Sequence, residues 1–225
     1  MRRFEIIDAE QRSPHWFAAR LGRLTGSRAK DMLATVQKGE SAKRRDLRLQ
    51  LACERITGQV QEDGFVNEAM QRGIDLEPIA FAAYEGVTGH LVQRSGFLAH
   101  AELMAGCSLD GHIGDFEGIV ELKCPKSATH LGYIRAGVVP PDHLPQILHN
   151  LWITGAAWAD FVSFDDRFPP NLQLFRVRLG REGYGESLIR DYEAKALAFL
   201  AEVETETQAV RTMNSIGSVL REAVV

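Results

Sequence analysis

The stretch GIVELKCP, residues 118–125, is short, rich in β-branched residues and closed by proline. In a strand, successive side chains alternate between faces, so Glu121 and Lys123 share one face while Leu122 stands on the other. The preceding turn carries SLDG, residues 108–111, and a hairpin of that length returns Asp110 to the side of Glu121. Two carboxylates and one ammonium group then meet, which is a cation site in outline. A hard ion such as Mg²⁺ prefers a few carboxylate oxygens with water and substrate phosphate, and it both stabilises developing charge and activates attacking water. The trio Asp110, Glu121 and Lys123 therefore suits phosphodiester hydrolysis. Lys123 would orient or deprotonate the water, or offset the charge of the pentavalent transition state. Taken alone, Glu-x-Lys also fits a surface strand with one i,i+2 ion pair.

Working outward, LVQRSGFLAH, MAGCSLDGHIG and GIVELKCP are β-prone and separated by turn residues, which predicts a three-stranded antiparallel meander over 91–124. Upstream, QRGIDLEPIAFAAYEGVTGH reads as a buried helix ending at Gly89. Its Glu77 sits in apolar company and fits either an acid favoured by the helix dipole or a functional group. SAKRRDLRLQLACERIT, residues 41–57, is helical and stopped by Gly58, with Lys43, Arg44, Arg45 and Arg48 near its start. That cluster suits a solvated face or a DNA-tracking patch. Ser13 and Pro14 open an earlier helix with Trp16 and Arg20 on one face. There Arg20 can stack on the indole, and Ser27 can cap the helix that follows.

Downstream come a helix within DHLPQILHNLWITG, strands ADFVSFD and LQLFRVRL, and a long helix with Ile189, Tyr192, Ala196, Phe199 and Val203 at helical spacing. The order predicts an α/β fold, a central mixed β-sheet flanked by helices. No repeat or long linker divides the chain, so a single nuclease domain over 1–225 is expected, with its catalytic core at about 70–180. The N-terminal helices would carry DNA contacts and the C-terminal helix would pack on the core.

Composition narrows the function. A formal charge of −4 and a pI near 6.0 argue against coating nucleic acid by bulk electrostatics, so any DNA contact must be local. Cys53, Cys107 and Cys124 form neither a Cys-x-x-Cys pair nor a disulfide framework, as expected of a reducing cytoplasm. No stretch has signal-peptide or membrane-spanning character, so a soluble protein that is not exported is expected. His112, His143 and His149 lack metal-ligand spacing and are expected at the surface or in the cleft.

Asp110 followed on the next strand by Glu121-Leu122-Lys123 resembles the active-site motif of the PD-(D/E)XK nuclease superfamily, although Leu109 stands where the name expects proline. Proline there shapes a turn and supplies no ligand. Trp16, Arg20, Thr25-Gly26-Ser27, the Glu77 helix, Ser108-Leu109-Asp110-Gly111, Glu121-Leu122-Lys123-Cys124-Pro125 and Gln146 occur in the order seen in the phage lambda exonuclease and YqaJ-like viral recombinase family. This resemblance runs from about residue 13 to about residue 165.

The resemblance implies a restriction-endonuclease-like core in which Asp110, Glu121 and the backbone carbonyl of Leu122 bind a first Mg²⁺. Glu77 would join Asp110 at a second, and Mn²⁺ would substitute. Lys123 is implied as the catalytic lysine and Gln146 as a supporting catalytic residue. Arg20, Ser27 and Ser108 are implied as a 5′-phosphate pocket, while Arg44 and Arg45 are the first candidates for duplex contact.

The implied activity is an alkaline-exonuclease-type deoxyribonuclease. It would degrade one strand of double-stranded DNA from the 5′ end to 5′-mononucleotides, leaving a 3′ tail for recombination. A homotrimeric ring, a single-strand annealing recombinase as partner, and the cytoplasm of a bacterial host of the phage follow in the same way. An endonuclease or RecB-like module, a non-catalytic DNA-binding relative, and a hydrolase of another phosphate ester are the competing readings.

Overall fold

The computed structural model describes residues 2–61 and 68–215. Two four-stranded mixed sheets form its frame. The first contains β1 (Phe4–Ile7), β2 (Leu24–Thr25), β3 (Phe97–His100) and β4 (Ala105–Cys107) in the order β1-β3-β4-β2. The second contains β5 (Gly111–Ile113), β6 (Gly118–Lys123), β7 (Trp158–Phe164) and β8 (Leu174–Gly180), in sequence order. In it β6 runs antiparallel to β5 and parallel to β7, and β7 runs antiparallel to β8.

The α/β class and flanking helices match expectation, but the single central sheet and the three-stranded meander do not. Four strands occupy 97–123, and the chain changes sheets between β4 and β5. The cause is long-range. On its far side β4 pairs with Leu24–Thr25, a two-residue strand some 80 residues upstream, in a parallel register that alternation within 91–124 cannot reveal.

Local chemistry sets the helix ends. α1 (Pro14–Arg20) opens where the Ser13 hydroxyl accepts from the Trp16 amide at 3.1 Å, with Pro14 at the first helical position. A 3₁₀ turn, Gly26–Arg28, leads into the short α2 (Ala29–Met32). α3 (Ala42–Thr57) ends at Gly58, whose φ of 67° lies in the left-handed region that costs other residues steric strain. α4 (Glu68–Thr88) contains Pro78, which has no N–H to give the carbonyl of Ile74. α5 (Ser127–Ala136) was not expected; α6 (Leu144–Thr154) and α7 (Tyr184–Ser215) were.

One apolar cluster joins the two sheets. It takes Leu98 and Ala105 from the first, Ile119 and Phe161 from the second, and Leu151 and Trp152 from α6. The predicted α7 stripe, Ile189, Tyr192, Ala196, Phe199 and Val203, is buried in the same cluster. Each such large side chain contributes about 1.5–3 kcal/mol. On the opposite face of the second sheet, Ala80, Phe81 and Tyr84 of α4 pack on Val120 and Leu122. β6 is thus covered on both sides, Ile119 towards one cluster and Val120 and Leu122 towards the other.

Candidate active site

The β5–β6 register pairs Gly111 with Val120, so Asp110, one residue before β5, falls opposite Glu121. Asp110 Oδ2 accepts from the backbone N–H of Leu122 at 2.7 Å, which fixes the carboxylate at the strand edge. Lys123 Nζ donates to Glu121 Oε1 and lies 3.5 Å from Asp110 Oδ2. The sequence-predicted trio is therefore assembled, on the face of β6 that alternation assigned.

Its electrostatics are those of a buried charge cluster. Burial is the largest influence on Glu121, and the nearby Asp110 adds to it; against the pull of Lys123 they push its carboxyl pKa up to about 7. Burial also works against the ammonium charge of Lys123, but Asp110 and Glu121 outweigh it and hold its pKa above the ordinary lysine value. The two carboxylates thus favour the charged form of Lys123.

Glu77 stands apart from this trio. α4 packs on the face of the sheet opposite Glu121, and the Glu77 carboxylate forms an ion pair with Arg94 at 2.7 Å. Arg94 in turn lies over the ring of Phe81, 5.2 Å from its centroid. Glu77 and Asp110 nevertheless line one cavity of about 560 Å³, together with Gln11, Arg12, Arg94 and Ser95. Burial raises the Glu77 pKa; Arg94 opposes and Asp110 reinforces that shift.

The residues assigned to a phosphate pocket are brought together by α1. Arg20 is 7% exposed, with its guanidinium 4.1 Å above the Trp16 ring, and its Nη2 donates to Ser27 Oγ at 3.1 Å and to Thr25 Oγ1 at 3.4 Å. The Trp16 indole N–H donates to Ser108 Oγ at 2.7 Å. Stacking and phosphate-pocket roles for Arg20 are thus compatible. Ser108 is two residues from Asp110, so the pocket and the carboxylates adjoin.

Gln146 flanks the pocket segment, whereas Arg44 and Arg45 lie on α3. Gln146 is half-buried on α6 beside Gly26. Arg44 is held by Glu202 of α7 at 2.8 Å through both terminal nitrogens and by Glu40 at 2.6 Å, and Arg45 pairs with its neighbour Asp46. α7 supplies acids to the basic face of α3, a pairing across some 150 residues that sequence proximity hides. Two histidines correct the surface expectation. His112 is buried, stacked on Phe116, and His149 is fully buried, bonded to the Gly106 carbonyl and Tyr192 hydroxyl.

Asn150 was missed. Its Nδ2 donates to Glu121 Oε2 at 3.3 Å from a position 2% exposed. The available signal was a polar residue between Ile147, Leu148, Leu151 and Trp152, four residues after Gln146.

Among the described residues no three Asp, Glu, His or Cys side chains are gathered as a ready metal cage. The donors at Asp110 and Glu121 are nonetheless adjacent hard oxygens, two carboxylates against the single ammonium of Lys123. With the Leu122 carbonyl between them in sequence they fit an ion of the Mg²⁺ type, which keeps several waters and uses few protein ligands.

An acid pair with one lysine on a sheet strand lies beside an arginine-and-hydroxyl cluster, and the comparisons with known proteins place the chain among phage-type exonucleases. The chain is 38% identical to LHK-Exo in a crystal structure with dAMP, with a TM-score of 0.80 over 92% of this chain and 100% of that one. A second structure of LHK-Exo, an alkaline exonuclease from Laribacter hongkongensis, gives 37% identity and a TM-score of 0.79 at the same coverage. A phage-related exonuclease from Haemophilus somnus 129PT shares the fold at 14% identity, with a TM-score of 0.60 over 85% of this chain and 96% of that one. No curated protein sequence matches significantly. Residues 15–157 match the YqaJ-like viral recombinase domain, and the chain belongs to that family.

Proposed function

We propose that this chain is a Mg²⁺-dependent 5′-to-3′ exodeoxyribonuclease that shortens one strand of duplex DNA and leaves a 3′ single-stranded tail. The observation that carries this reading is the adjacency of the Asp110–Glu121–Lys123 cluster to the Arg20–Ser27–Ser108 pocket, with Ser108 and Asp110 two residues apart. Arg20 and the two hydroxyls suit the oxygens of a terminal 5′-phosphate, for which a planar guanidinium offers paired donors. The phosphodiester one nucleotide inward then falls at the carboxylates. Mononucleotide release agrees with the dAMP held by LHK-Exo.

Asp110, Glu121 and the Leu122 carbonyl would hold one Mg²⁺, and Glu77 with Asp110 a second once Glu77 leaves Arg94. When bound, the ion supplies charge stabilisation at the phosphate and polarisation of water. Water adds its oxygen to phosphorus, the bond from phosphorus to the 3′ oxygen breaks, and that oxygen leaves with a proton. Lys123, beside both carboxylates, would offset charge on the pentavalent phosphate and orient the attacking water. Gln146, beside Gly26, supports the terminal nucleotide.

Family membership supports the wider role: recombination of a phage type inside a bacterial host, a ring of three subunits around the duplex, and a single-strand annealing partner. No described helix is long and apolar enough to cross a membrane.

The test is digestion of end-labelled linear duplex with Mg²⁺, comparing 5′-phosphorylated, 5′-hydroxyl and closed circular DNA. Mononucleotide release from phosphorylated ends, absent without metal and lowered at least ~100-fold by Lys123→Ala, is expected. Cleavage of the circle would make the chain an endonuclease, and undiminished activity of Lys123→Ala would overturn the mechanism.

A further inference from the structure

Asn150 is an amide buried between two parts of the site. Nδ2 donates to Glu121 Oε2, while Oδ1 is buried with no hydrogen-bond partner. Leaving a buried carbonyl oxygen unpaired costs about 1–3 kcal/mol, and an apolar residue would be the stable choice if packing alone set this position. The Oδ1 side faces Gly26: a Cβ built there would come within 2.6 Å of Oδ1 and 3.3 Å of Gln146 Cγ. Only glycine allows the backbone that near. Gly26 immediately precedes Ser27, which takes the Arg20 guanidinium. One side chain therefore touches the catalytic strand at one end and the phosphate-pocket segment at the other.

We infer that Asn150 is a positioning residue for Glu121: it restrains Oε2, leaves Oε1 to Lys123 and the cation, and depends on a glycine at 26 to keep its place. The inference rests on the nuclease reading above. Groups that hydrogen-bond to metal ligands typically change metal affinity 10- to 100-fold when removed, because they fix the ligand's orientation. Lys123 and Asp110, which also flank Glu121, act on it as charges, whereas Asn150 supplies a neutral donor. The seat at Gly26 also means that a shift of the Thr25–Ser27 segment is felt at Glu121.

The test uses the full chain without DNA and reads Mn²⁺ affinity from the electron paramagnetic resonance signal of free Mn²⁺. Asn150→Ala and the volume-conserving Asn150→Leu are each expected to weaken binding at least tenfold while melting cooperatively in chelator. Gly26→Ala, which touches no ligand, is expected to weaken binding as well. Combined with Asn150→Ala, where its methyl has space, Gly26→Ala should cost no further affinity; this non-additivity is one that separate local defects would not produce. Binding by Asn150→Ala and Asn150→Leu within twofold of wild type, or additive losses in the double variant, overturns the inference while leaving the nuclease reading intact. Equal binding by wild type and Glu121→Gln overturns the nuclease reading, and this inference with it.

Discussion

The Arg94 guanidinium holds the Glu77 carboxylate at 2.7 Å, so the acid expected at a second metal is committed to an internal counter-ion. Arg94 is well exposed, and exposed pairs contribute about 0.2–1 kcal/mol. Arg94→Gln is expected to tighten Mn²⁺ binding by roughly two- to fivefold, measured without DNA. Weaker binding in this variant would show that Arg94 supports the site rather than competing for it.

Arg20 reads the DNA end in the proposed mechanism. Arg20→Ala should lower cleavage of 5′-phosphorylated duplex by roughly 10- to 100-fold, the worth of a charged hydrogen bond, and leave 5′-hydroxyl duplex little changed. Equal losses on both substrates would mean that Arg20 serves only to brace Trp16.

The pocket depends on a buried ion pair one layer deeper. Glu54, fully buried on α3, accepts from Arg28 at 2.8 Å and from the Gly22 N–H at 2.8 Å, which ties α3 to the chain between α1 and the 3₁₀ turn. Burial works against its charge, but Arg28, with the hydrogen bonds from Gly22 and Gln50, holds the carboxyl below its usual range. Breaking such a pair costs about 3–5 kcal/mol, so Glu54→Ala should unfold at markedly lower denaturant and lose end-dependent cleavage with it. A midpoint unchanged in urea would refute this.

His149 sets an acid limit. Burial, partly offset by the bond to the Gly106 carbonyl, lowers its pKa from 6.5 to about 4. The unfolded chain then binds the proton more readily, so the stability from this group is complete above pH 6.5 and declines as pH falls towards 4. The loss amounts to about 3 kcal/mol across that window. Histidine ring NMR should find His149 neutral down to about pH 4, and a midpoint near 6.5 would contradict the burial argument.

Much of this was legible in sequence because it is local. Ser13 and Pro14, Gly58, and the period-3.6 stripe from Ile189 to Val203 each announce an element within a few residues. Glu121 and Lys123 share a face by strand alternation, and a short hairpin returns Asp110 to them. What escaped is set by pairings between distant residues. β2 docks on β4 across 80 positions, and Glu202 takes Arg44 from the surface it was expected to serve. The Arg94 that pairs with Glu77 likewise comes from beyond the end of its helix. Asn150 announces itself only by polarity at an apolar position.

The three residues from Ser108 to Asp110 are the whole crossing from one sheet to the other. In the proposed mechanism Ser108 holds the DNA end and Asp110 a metal, so the backbone between them would act as a covalent ruler whose length no side-chain substitution alters. The unit of DNA removed per turnover would thus be measured by the protein's own main chain.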